Sequence, residues 1–349
     1  MTVTRRSAIF AYGSFVVASR SARAQQLAGE PAGRIPPVDE LVNASEFRAI
    51  AERKLDSATF AEIEGSERAA FDRITFRPRL MIDSRQLDLT SEVLGETLFT
   101  PILIGPVSNQ KRYHPEGELA MARGASAAKA VMIVAGGSSC PIEQVAEQAK
   151  TPLWYQIFLD DDGSEARRRM ERAFSTGCKV LCVTVGSEGS AAAHAPLRAG
   201  IAWTALDRLR KSIKAPVVLK GVMSPDEARK AVSLGVQGIV VSNYAAHTIP
   251  GVASPIEVLP AIADAISGKA AILMDGSIRR GSDVLKSLAL GAHAVLLARP
   301  AVWGLAAYGA AGVQNVVELI QTEFARDMVM CGRTKIQSID RSVVRIHRW

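Results

Sequence analysis

Residues 216–243 read PVVLKGVMSPDEARKAVSLGVQGIVVSN, and their pattern decides the fold. The two ends, PVVLKGV (216–222) and GIVVSN (238–243), are short and nearly continuous in apolar residues. Strands buried on both faces require that pattern. The middle differs. Ser224 can cap a helix, Pro225 suits its first turn, and Asp226 and Glu227 place acids at the positive end of its dipole. Apolar residues then recur near i, i+3 and i+4 until Leu234-Gly235. The stretch predicts a strand, a helix and a second, parallel strand.

The theme repeats on both sides. PILIGP (101–106), AVMIVAG (130–136), LWYQIF (153–158) and VLCVTV (180–185) precede it; AAILMDG (270–276) and AVLLAR (294–299) follow. Segments such as EGELAMARGASAAK and GSDVLKSLALG, with helical spacing, separate most of them. Eight strand runs with intervening helices over about 200 residues predict an α/β fold, a (β/α)8 TIM barrel. An open doubly wound sheet is the alternative, but no Gly-x-Gly-x-x-Gly turn follows the first run. Residues 25–75 look helical and polar, which gives the barrel an N-terminal helical extension. Residues 312–335 carry one more helix pattern. The expected division is 1–24, a leader; 25–99, the extension; and 100–349, the barrel with C-terminal helices.

The leader reads MTVTRRSAIFAYGSFVVASRSARA and contains four arginines and no acid. Paired Arg5-Arg6 precede a mildly apolar stretch, and Ala22-Arg23-Ala24 fits an A-x-A cleavage site. This is the pattern of a bacterial twin-arginine signal peptide, so an exported, periplasmic protein with a cofactor loaded before export is expected. A short amphipathic or disordered tail is the alternative. The apolar stretch is too short to span a membrane, and no integral membrane segment is expected in the mature form. The 349 residues carry 42 Lys+Arg against 35 Asp+Glu, a net +7, and the leader's arginines are over half of it. With 48% hydrophobic residues the chain can bury a sizeable core. Basic residues do not cluster with aromatic ones, which excludes a nucleic-acid partner. Cys140, Cys178, Cys182 and Cys331 lack metal-ligand spacing and are expected as buried thiols, with no metal.

In such barrels chemistry sits at the C-terminal ends of the strands. The first run ends at Pro106-Val107-Ser108; the third carries Gln156 and the fourth Thr184. The fifth carries Lys220, costly to bury unless paired with an anion or an electron-rich ligand. The sixth ends at Ser242-Asn243, the seventh at Asp275-Gly276-Ser277-Ile278-Arg279, and the eighth at Ala298-Arg299. Arginines after the last two strands, beside small residues that let backbone N–H groups approach, point to a phosphate. The residues alone predict a phosphorylated cofactor or substrate.

These residues carry a resemblance. FRPRL (76–80), KRYHPEGE (111–118), YQIF (155–158), VLKGV, GIVVSN, MDGSIRRGSD (274–283), LGAHAVLLARP (290–300) and GLAAYGAAGV (304–313) resemble the FMN-dependent 2-hydroxy-acid dehydrogenase/oxidase family, which includes glycolate oxidase, lactate oxidase and mandelate dehydrogenase. The resemblance runs from about residue 40 onward. It implies FMN as cofactor, with Gln156, Thr184 and Lys220 on the ring, Ser242 and Asp275 nearby, and Arg279 and Arg299 on the phosphate. It also implies a small-molecule substrate, an electron acceptor still to be identified and a homo-oligomer.

The departures are as informative. The family's proton-abstracting His falls at Tyr244, and its carboxylate-binding Arg at His247. The Asp that orients that His aligns with Gly186. Substrate-binding tyrosines align with Phe158 and roughly with Glu62, and an aromatic residue aligns with Gly137. The excursion after the fourth run shrinks to SEGSAAAHAPLRAG (187–200), removing a further Arg. A phenol, with an ordinary pKa of about 10, is a poor base at neutral pH. Tyr244, His247 and Lys220 are therefore the candidate catalytic groups, in an enzyme with a complete flavin site and a remodelled substrate pocket. The alternatives are a non-catalytic flavin-binding barrel, and a lyase or isomerase acting on a phosphorylated metabolite; Gln156 and Lys220 together speak against the last. His114 is expected as a structural loop residue, His194, His293 and His347 as surface or packing residues, and Asp160-Asp161-Asp162 as a solvated helix start.

Overall fold

The computed structural model describes residues 34–347 apart from 66–67, 80, 84, 159–163, 186–202 and 245–250. The leader, Asp160–Asp162, Gly186, His194 and His247 lie outside the described residues.

Eight parallel strands close a barrel in chain order. They are β1 (Ile102–Ile104), β2 (Met132–Ala135), β3 (Leu153–Phe158), β4 (Leu181–Thr184), β5 (Val217–Val222), β6 (Gly238–Val241), β7 (Ala271–Asp275) and β8 (Ala294–Leu297). Each lies within one of the eight apolar runs, so the barrel expectation holds. Two longer helices precede it, α1 (Ala44–Lys54) and α2 (Ser57–Ile63), followed by a single helical turn at Ala69–Asp72. Around it run α3 (Gly117–Ala127), α4 (Ile142–Gln148), α5 (Ser164–Ser175), α6 (Trp203–Ser212), α7 (Pro225–Ser233), α8 (Pro255–Ile266) and α9 (Gly281–Ala289). Ser224 caps α7 through its side chain, which accepts from Glu227 N–H, as the sequence suggested.

Side chains alternate across a strand, so the barrel interior receives every second residue. Leu103, Ile133, Trp154, Cys182, Val218, Val240, Leu273 and Leu296 form one buried interior cluster. The residues between them, such as Tyr155, Val183, Leu219 and Met274, join the larger cluster shared with the helices. Two positions beyond Trp154, Cys182, Val218, Val240 and Leu273 stand Gln156, Thr184, Lys220, Ser242 and Asp275. The same parity that fills the core therefore carries the polar residues to its upper end. A hairpin, Ser91–Val93 with Glu96–Leu98, closes the other end, and its Val93 and Leu98 join the interior cluster.

The β5–β6 register shifts between Lys220 and Val222. Gly221, at φ 109, occupies that bulge in a conformation an L side chain rarely adopts. The last helix, α10 (Arg299–Met330), is longer than the sequence pattern indicated and breaks at Tyr308-Gly309, where Gly309 has φ 58. It stops at Met330 rather than 335, because Gly332 turns left-handed at φ 66.

The extension is welded to the barrel. Trp303 Nε1 donates to Ile63 O at 3.0 Å, and Lys286 Nζ to Phe71 O at 2.9 Å. The strand Ile74–Phe76 pairs antiparallel with Val344–Ile346. Asp283, in the first turn of α9, is fully buried and accepts from Arg68 Nη1 at 2.7 Å and Nη2 at 2.8 Å, and from the N–H groups of Arg279 and Arg280 at 2.9 Å each. Removing one partner of such a pair strands the other charge. Asp283→Ala should lower unfolding stability by about 3–5 kcal/mol, measured by urea denaturation at fixed cofactor concentration; a change within about 0.5 kcal/mol, usual for surface substitutions, would show the weld to be incidental.

Candidate active site

The strand ends open into a cavity of about 1190 Å³. The loop after β1 supplies Pro106, Val107 and Ser108; β3 to β5 supply Gln156, Phe158, Thr184 and Lys220. Ser242, Asn243 and Tyr244 follow β6; Asp275, Gly276 and Ser277 end β7 and begin its loop; Ala298 and Arg299 follow β8. All but two of the residues that sequence reading picked out thus line one space. Arg279 lines a small recess instead, which shares Asp275, Gly276, Ser277, Ala298 and Arg299 with the cavity. The other, His247, lies outside the described residues.

Lys220 is 3% exposed, so its charge needs partners. Its Nζ lies 2.5 Å from Asp275 Oδ2 and 2.9 Å from Ser242 Oγ. Ser242 Oγ donates to the same Asp275 oxygen at 3.1 Å and accepts from Tyr244 N–H at 3.3 Å. The Tyr244 ring centroid is 5.1 Å from Lys220 Nζ and 6.1 Å from the Phe158 ring. β-sheet register sets Thr184 beside both Phe158 and Lys220.

Gln156 Nε2 and Thr184 Oγ1 are buried without a hydrogen-bond partner. Buried polar atoms are seldom left so, because each costs about 1–3 kcal/mol. With Lys220 they form three neighbouring donors along β3, β4 and β5, suited to a planar ring edged with nitrogen and oxygen acceptors. They fit the ring of FMN.

The recess fits its phosphate. Ser277 sits at φ 57 after Gly276 at φ 118, a sharp turn with a non-glycine residue in the left-handed region. Arg279 is 7% exposed; its Nη1 donates to Ile278 O at 2.8 Å and its Nη2 to Gly65 O at 3.2 Å. The guanidinium lies 4.7 Å over the Trp303 ring. Burial first, then the charges of Arg299 and Arg68, pull its pKa down to about 9. Arg68 is already paired with Asp283, so the buried Arg279 is the cation whose charge calls for an anion.

The sequence reading missed Arg112 and Tyr113 as cavity residues. Glu62 joins them: its Oε1 lies 2.5 Å from Arg112 Nη2, and its Oε2 accepts from Tyr113 Oη at 3.3 Å. Burial, with the Glu62 charge, pushes the Tyr113 phenol up to about 12. Their place directly after β1, within KRYHPEGE, was the available signal. His114 is structural as expected: its Nδ1 accepts from Glu116 N–H at 3.2 Å, and its ring lies against Gly309. The four cysteines are buried and free, and burial raises Cys182 to about 12, which leaves it an inert thiol. Among the described residues, no group of three or more His, Cys, Asp or Glu could hold a metal.

Comparison with known proteins agrees with this geometry. The sequence profile of the FMN-dependent dehydrogenase family matches residues 43–192 and 186–346. An L-lactate oxidase from a Nostoc species is 35% identical over 87% of this chain and 98% of its own. A human 2-hydroxyacid oxidase is 33% identical, covering 79% of this chain and 86% of its own. Among solved structures, mandelate oxidase with (S)-2-phenylpropionate has a TM-score of 0.80 at 30% identity, covering 87% of this chain and 98% of that one. An arginine-to-lysine variant of flavocytochrome b2 has a TM-score of 0.84 at 27% identity, covering 93% and 91%.

The recess makes a prediction of its own. Apoprotein should bind riboflavin roughly 10–100-fold more weakly than FMN, since each charge-assisted hydrogen bond contributes about 1.5–3 kcal/mol. Arg279→Met should cost FMN a comparable factor and leave riboflavin nearly unchanged, measured by flavin fluorescence quenching. Equal affinities for the two flavins would sink the phosphate assignment.

Proposed function

The chain belongs to the FMN-dependent dehydrogenase family, and from that premise we propose that it is an exported member with a complete flavin cradle and a rebuilt substrate pocket. The coarser identity is an FMN-dependent oxidoreductase of the 2-hydroxy-acid oxidase/dehydrogenase family. The observation that supports the cradle is the pair of orphaned polar atoms, Gln156 Nε2 and Thr184 Oγ1, beside the buried Lys220.

Bound FMN supplies a two-electron acceptor for a hydride from substrate carbon. The residues of this chain do the rest. Pro106, Val107 and Ser108, with Gln156 and Thr184, would hold the ring; Gly276, Ser277, Arg279, Ala298 and Arg299 would hold the phosphate. Lys220 would place an ammonium beside the ring, where it would favour negative charge. Asp275 and Ser242 fix that ammonium at 2.5 Å and 2.9 Å, so it pays little reorganisation when the charge arrives. Phe158 and Tyr244 add aromatic surface to the cavity wall.

The rebuilt pocket is supported by what replaces the family's substrate groups. Tyr244 takes the place of the base and lies over Lys220. Glu62 takes a tyrosine's place and is paired with Arg112. Tyr244 and His247 are the candidate acid–base groups, and the electron acceptor is a separate molecule. Among the described residues, no helix is long and apolar enough to cross a membrane.

Two outcomes are expected. The purified mature protein should be yellow and release about one FMN per chain, by absorbance after denaturation; a colourless protein that takes up no added FMN overturns the reading. Arg5→Lys combined with Arg6→Lys should leave the protein in the cytoplasm on cell fractionation, still loaded with flavin. Unchanged periplasmic yield would remove the export part alone.

A further inference from the structure

The rim of the cavity carries an ion pair that the flavin cradle does not use. Glu62 comes from α2 and Arg112 from the loop after β1. Their side chains are 41% and 43% exposed, so a ligand can reach both charges. The loop is braced from beneath by Glu118, fully buried, whose Oε1 accepts from the N–H groups of Gln110 and Ser139 at 3.0 Å each. Tyr113 Oη holds the second Glu62 oxygen. The pair is therefore a built feature of the pocket.

The other carboxylates lining the cavity are committed. Asp275 serves Lys220 and Ser242, and Glu257 accepts from Ser254 N–H at 2.6 Å at the start of α8. Glu62 is itself held by Arg112 and Tyr113, but the two charges of this pair stay 41% and 43% exposed, and Phe158 and Tyr244 line the same cavity. An ion pair is complementary to a second ion pair laid antiparallel to it. An α-amino acid is such a ligand, with ammonium and carboxylate on one carbon.

The chemistry points the same way. Oxidising an alcohol to a ketone removes a hydride from carbon and a proton from oxygen, and that proton needs a base. Tyr244 stands where that base is expected. A free amine needs none at the moment of hydride loss, because its own lone pair forms the new bond.

We propose that this pocket takes an α-amino acid with an apolar side chain rather than a 2-hydroxy acid, Glu62 binding the ammonium and Arg112 the carboxylate. The proposal rests on the flavoprotein reading above. The ammonium first gives one proton to solvent. The amine then loses its Cα hydride to the flavin while the nitrogen lone pair becomes the second C–N bond. Water adds to the resulting iminium, which breaks down to a 2-oxo acid and ammonium. Two electrons leave the substrate in all.

The test uses the yellow holoprotein and two ligands that lack a Cα hydrogen, 2-aminoisobutyrate and 2-hydroxyisobutyrate. Binding is read from the shift of the visible flavin spectrum, without turnover. The amino ligand should bind roughly tenfold tighter or more, the worth of one hydrogen bond to a charge. Glu62→Gln should abolish that preference, and Arg112→Lys should weaken both ligands. Anaerobic phenylalanine should bleach the flavin band, and 3-phenyllactate should not. Equal or reversed affinities, no spectral response to either ligand, or a preference that survives Glu62→Gln each overturn the proposal. Bleaching by phenyllactate alone overturns it and leaves the flavoprotein reading standing; failure to take up FMN overturns both.

Discussion

A strand buried on both faces can offer the barrel interior only every second side chain, and this parity governs the molecule. Val218 and Lys220 share one face of β5, as Trp154 and Gln156 share one face of β3. The apolar member plugs the barrel; the polar member, two residues on, lines the cavity above it. Sliding any of these strands by one residue would bury Leu219 or Ile157 at the site and turn the polar group into the helical layer. Packing and chemistry are thus specified by the same choice, and the core cannot be rearranged without dismantling the site.

Charge is handled by the same economy of position. Lys220 and Arg279 are both nearly enclosed, at 3% and 7% exposure, yet they are treated differently. Lys220 has an internal carboxylate, Asp275, and is held in place. Near Arg279 the carboxylate of Asp283 is taken up by Arg68 and two backbone N–H groups. Arg279 itself is left with two carbonyls, Ile278 O and Gly65 O, and the face of Trp303. One cation is held by the protein's own carboxylate, and the other is the one we propose a ligand's anion completes. The extension matters here because it supplies both Gly65 and Arg68.

Much of this was legible in the sequence because continuous apolar runs announce doubly buried strands. The eight runs, the Ser224-Pro225 helix start and the polar residues at the run ends all fell where pattern and parity require. Other elements left no such signature. The plug hairpin hides in Ser91–Leu98, where short polar strands look like loop. The split in α10 depends on one residue, Gly309, inside an otherwise unbroken helical pattern. The Glu62–Arg112 pair joins residues fifty apart on a helix and a loop, and no local period encodes such a meeting. The orphaned atoms of Gln156 and Thr184 are likewise visible only once their neighbours are in place.

The strand pair Ile74–Phe76 with Val344–Ile346 has a consequence for biosynthesis. Its two halves are 272 residues apart where Ile74 pairs with Ile346. At about 5–20 residues per second, the first half leaves the ribosome tens of seconds before its partner exists. During that wait it is an unpaired edge, open to the wrong strand of another chain. The sequence guards it: Arg73 precedes it, and Arg77, Pro78 and Arg79 follow. Like charges and a residue without an N–H discourage premature pairing until the nascent chain can close its own seam.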